Sequence, residues 1–94
     1  MPHITQKELS GLKELLAKVS PGPWISYVEG RDHSSGESFI MTGPESNRGE
    51  DIYLSGASDT DQDFIAAARQ EIPRLIAEIE RLQILVHGKQ TAAE

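Results

Sequence analysis

Seven apolar residues between Ile65 and Val86 recur at alternating steps of three and four: Ile65, Ala68, Ile72, Leu75, Ile79, Leu82 and Val86. Only a helix returns such positions to one face, so a long helix must form the frame of this chain. One heptad position is mostly β-branched and the other mostly leucine, the composition that suits parallel two-stranded pairing. Residues 65–86 would span about 33 Å at 1.5 Å per residue, more than three strands spaced by about 4.8 Å. The overhang needs cover from another helix or from a second copy, and the seam is expected to be largely buried. Pro73 interrupts the run: its missing N–H leaves the Arg69 carbonyl without a partner, which predicts a kink or brief break near Gln70–Ile72. Ser58-Asp59-Thr60-Asp61 opens the helical region, with Asp59 and Gln62 as a candidate capping box. His87-Gly88 is the expected close, giving a helical region over 59–87.

A shorter helix is expected over 5–19. Thr5 and Glu8 fit a capping box, and Leu9, Leu12, Leu16 and Val19 share a face that Leu15 widens. Ser20-Pro21-Gly22-Pro23 stops it, because each proline removes a donor and turns its predecessor away from helical geometry. Three short apolar runs follow, at about 24–28, 39–41 and 52–54, separated by stretches rich in Gly, Ser, Asp, Asn and Pro. The reading is α+β in the order α-β-β-β-α: a three-stranded antiparallel sheet with both helices packed against it. Trp24 is expected to anchor the core. Phe39-Ile40-Met41 offers apolar atoms to both faces, which suits a sheet whose second face is also partly covered.

Ninety-four residues make a single small domain, taken as 1–94. The chain has no cysteine, which excludes disulfides, thiolate chemistry and cysteine-based zinc sites. The amino end lacks the basic-then-apolar order of a secretory signal. No apolar run nears the roughly 20 residues that span a bilayer. A cytoplasmic location with no membrane partner is expected.

Charge is concentrated in the middle. Between Trp24 and Asp63, nine carboxylates face only Arg31 and Arg48, a local −7; residues 1–23 carry +1 and residues 64–94 carry 0, so the net −6 is a property of the loops. Such a surface attracts basic proteins and repels phosphate, so direct nucleic-acid binding is not expected. The candidate partner-binding residues are Glu29, Asp32, Glu37, Glu45, Glu50 and Asp51; solubility of exposed loops is the plainer reading of the same residues. Asp32-His33-Ser34-Ser35 holds triad residue types, yet neighbours in a turn do not easily reach that geometry. Asp59, Asp61 and Asp63 lack the glycine and the glutamate of a calcium loop, and helix capping explains them better. Nothing spaces two histidines for a metal, and no cofactor is expected.

Two segments carry a resemblance. "LLAKVSPGPW" at residues 15–24 and "DQDFIAAARQEIPRLIAEIERLQ" at residues 61–83 resemble small phage and prophage proteins of the Ead-like group. The resemblance covers about a third of the chain and implies helix–sheet–helix architecture in a mobile-element setting. It supplies no catalytic residues. The function expected is a non-enzymatic acidic protein that binds and blocks a basic one, in its sharpest form an immunity protein for a nuclease toxin. The alternative is a phage or prophage accessory protein acting as a homodimer through its carboxyl-terminal helix, with Ile65, Ile72, Leu75, Ile79, Leu82 and Val86 as the dimer or core seam.

Overall fold

The structure, a computed structural model, describes residues 3–34 and 36–93, with side chains to residue 87. The first helix, α1 (Gln6–Lys18), starts at the expected capping box: Thr5 Oγ1 accepts from the Glu8 N–H at 3.1 Å, and Thr5 N–H donates to Glu8 Oε1 at 2.9 Å. These bonds hold the Glu8 carboxyl below its ordinary range. After the proline-rich stop come β1 (Trp24–Tyr27) and β2 (Phe39–Thr42), an antiparallel pair with Ser26 opposite Ile40. A 3-10 turn at Glu45–Asn47 leads back past β2, and α2 (Asp59–Ala93) closes the chain.

The sheet has two strands among the described residues, where the sequence suggested three. Residue 52 does meet β2: Ile40 and Ile52 exchange both backbone bonds, at 2.8 and 2.9 Å. Pairing stops there. Before it, the turn from Gly43 to Gly49 folds tightly. A Cβ at Gly43 would lie 2.8 Å from the Asn47 carbonyl oxygen, and one at Gly49 would lie 2.7 Å from Thr42 Oγ1. After it, Gly56, with φ +83°, swings the chain away toward α2. One bridge is all that fits between the two bends.

The layers also differ from expectation. α2 backs the sheet, while α1 lies along α2 and shares with the Trp24 side chain of β1 a groove lined by Leu12, Leu15 and Leu16. The helices run antiparallel, since Gln6 Nε2 donates to Gln83 Oε1 at 2.6 Å, Lys13 Nζ meets Glu80 at 3.0 Å, and Arg69 Nε reaches the Ser20 carbonyl at 3.4 Å. Leu9, Val28, Ile40, Ala66 and Ile76 are the buried apolar residues. Trp24 is half-buried: its indole N–H donates to the Ser20 carbonyl at 3.0 Å, and the Arg69 guanidinium sits 6.0 Å from its ring centre.

The largest correction concerns the seam. α2 turns inward a stripe running through Gln62, Ala66, Arg69, Pro73, Ile76, Glu80 and Gln83. The predicted seam is rotated from it. Ile65, Ala68, Ile72 and Ile79 are half-buried, while Leu75, Leu82 and Val86 remain 58, 48 and 55% exposed. Hydrophobic periodicity missed the inward stripe because much of it is polar and held by hydrogen bonds. Gln62 Nε2 alone serves Ser26 Oγ (2.9 Å), the Phe39 carbonyl (3.1 Å) and the Tyr27 carbonyl (3.2 Å). The capping box of α2 accordingly forms one residue earlier than expected, between Ser58 and Asp61, at 3.0 and 3.1 Å. The helix continues unbroken across Pro73 and past His87-Gly88 to Ala93. A mid-helix glycine costs only about 1 kcal/mol, and the lysine, glutamine and alanines that follow are good helix formers.

Candidate binding face on the outer side of the sheet

Side-chain alternation divides the sheet. Ser26 points at α2, where Gln62 reaches it, so Ile25 and Tyr27 point the other way. Across the pair, Ile40 and Thr42 share the inner face and are fully buried. Phe39 and Met41 share the outer face with Tyr27 and Ile25. On that outer side three rings form a row: Tyr27 stacks on Phe39 with centroids 5.4 Å apart, and Tyr53 leans on Phe39 at 6.0 Å. His33 closes one edge, 5.5 Å from Phe39, with its Nε2 enclosed and unpaired among the described residues. Neither helix covers this face. Tyr53 is 59% exposed; Tyr27, Phe39 and Met41 are half-buried by one another.

Three of the six candidate carboxylates sit two residues from a ring: Glu29 after Tyr27, Glu37 before Phe39, and Asp51 before Tyr53. Glu29 and Glu37 are brought to the same end of the row, because Glu29 N–H donates to Ser38 Oγ at 3.0 Å. Both are exposed and make no side-chain hydrogen bond or ion pair among the described residues. Glu45 and Glu50 are also exposed and unpaired in that sense, but they lie on the 3-10 connection rather than beside the rings.

The other two are committed internally. Asp51 is half-buried and pairs with Arg48 at 2.7 Å. Asp32 Oδ2 accepts from Val28 N–H (2.8 Å) and from Arg31 (2.8 and 3.1 Å). Arg31 also grips both oxygens of Asp63 on α2, at 2.7 and 3.0 Å, so one guanidinium ties the strand connection to the helix. The Asp63 carboxyl is pushed down to about 2, first by Arg31 and then by its bond with Ser26. Asp32 is lowered by Arg31 and by the Val28 N–H, and Arg31 is raised by both aspartates. Among the described residues the triad types do not assemble, since Asp32 bonds Val28 and Arg31 rather than His33; Ser35 lies outside the described residues.

Of the six candidate carboxylates, Glu29 and Glu37 lie unpaired beside these rings, and the rings themselves were not singled out by sequence reasoning. The signal was the period of two shared by Glu29 with Tyr27 and by Glu37 with Phe39. Among the described residues no cluster of His, Asp or Glu has metal-holding geometry, and no helix is long and apolar enough to cross a membrane. No protein-family model, curated protein or solved structure matches the chain.

Proposed function

We propose that this chain is a non-enzymatic binding protein that docks a basic protein on the outer face of its sheet, and in doing so blocks it. One observation carries the reading: an uncovered row of aromatic rings, Tyr27–Phe39–Tyr53, ends beside two unneutralised glutamates, Glu29 and Glu37. Ring faces attract cations, and carboxylates beside them complete the charge-assisted bonds of an arginine or lysine side chain. The long-range field of the −7 segment would speed the encounter, with Glu45 and Glu50 contributing at a distance. A nuclease toxin fits that description of a partner, because it carries positive surface to hold phosphate. The resemblance to small phage proteins supports a mobile-element setting for such an inhibitor. Asp32 and Asp51 leave the binding set, since each already has an arginine.

Calorimetric titration with an oligo-arginine peptide tests the face directly. Binding should weaken as salt rises. Tyr53→Ala should reduce affinity roughly 2- to 5-fold, from about 0.5–1 kcal/mol for an exposed cation–π contact. Glu29→Lys with Glu37→Lys should reduce it further and flatten the salt dependence. Unchanged affinity in both variants would remove this face from the function.

A further inference from the structure

We infer that two copies of this chain pair through the helical face that its own fold leaves open. The face joins Leu12 and Leu15 of α1 to Ile72, Leu75, Leu82 and Val86 of α2. Leu12, Leu15 and Ile72 line one groove between the helices, so the α1 leucines lie on the same side as the seam. From Ile72 the seam continues at helical spacing through Leu75, Ile79, Leu82 and Val86. Leu12 and Leu15 are 40 and 60% exposed, comparable with the outer α2 residues.

Three observations point to a second copy as the occupant. First, the outer part of the seam is spare: Leu75, Leu82 and Val86 stay about half exposed, while α2 meets the sheet and α1 through Gln62, Ala66, Ile76 and Glu80 and through the half-buried Ile65, Ala68 and Ile72. Second, the area suffices. A helix stretch of about 33 Å beside one of about 20 Å, each about 10 Å wide, gives a footprint on the order of 500 Å² per copy. The pair then buries on the order of 1,000 Å², the lower bound for a biological interface and the size of a weak, concentration-dependent dimer. Third, charge permits it. The segments that build the face carry +1 (residues 1–23) and 0 (residues 64–94), and the anionic excess lies in the loops between them. The charges flanking the seam are already neutralised within each copy, Glu71 by Arg74 and Glu78 by Arg81. A self-matching heptad seam without like-charge repulsion fits another copy of itself.

Sedimentation across a concentration series reads the outcome. The chain should move toward twice its 10.3 kDa as concentration rises. Leu75→Glu with Leu82→Glu should hold it at one chain while circular dichroism keeps the helical content. Ile84→Glu, at an exposed apolar position off the seam, should leave the dimer intact, as should charge reversal at Glu29 and Glu37. A strict monomer at high concentration overturns the inference. A dimer that survives the Leu75 and Leu82 changes, or that Ile84→Glu dissolves equally well, overturns it too.

Discussion

Gln62 shows why residue-level reading failed where it did. By type it belongs on a surface or in a helix cap; here it is buried and is the one donor shared by three acceptors on two strands. A pattern scan scores such a residue as outward-facing and rotates the helix accordingly. Its removal should be felt: Gln62→Leu takes away those three bonds at a buried site and should cost on the order of 2 kcal/mol, lowering the melting temperature by roughly 10 °C. Arg31 makes a second residue-scale prediction. The Asp63 carboxyl is depressed in the folded state, from 3.8 to about 2. A depressed acid stabilises the fold above its unfolded pKa and loses that contribution as pH falls through the folded one. Acid titration should therefore show stability falling between about pH 4 and pH 2, and Asp63→Asn should flatten that fall. An identical acid profile in the variant would show that Arg31 contributes nothing there.

At the scale of elements, local chemistry was the most legible part. The box at Thr5 and Glu8, the stop at Ser20–Pro23, and both strands of the pair were written in short windows, where a few residues decide the backbone. What needed distant partners was not legible. The third strand shrank to one bridge because the bends at Gly43–Gly49 and Gly56 limit its length, and strand propensity at Ile52-Tyr53-Leu54 says nothing about that. The start of α2 is a near miss of the same kind, since two candidate boxes one residue apart look alike in sequence. Ser58→Ala should destabilise the fold by about 1 kcal/mol, whereas Asp59→Ala should remove no cap, a contrast that thermal melts of the pair would read directly.

The whole molecule is long and thin, 63 × 33 × 20 Å, because one helix carries everything and only part of its length has neighbours. The sheet sits on the amino-terminal half of α2, through Gln62 and Gln70, and α1 covers the stretch through Gln83. The sequence showed that such an overhang must exist; it did not show which side of the helix would be left open. The candidate binding face was half-visible for a related reason. Charge is counted from composition, whereas the ring row depends on the register of Tyr27 with Phe39 and on the approach of residue 53.

The ring row lies on the side of the sheet away from α2. Joining two molecules through their helices would therefore leave both rows open, and the assembly would be bivalent. A target bearing two basic segments would then be retained by avidity, since release of one site leaves the other engaged at high effective concentration. Weak individual contacts on a small, shallow surface would then add up to slow dissociation.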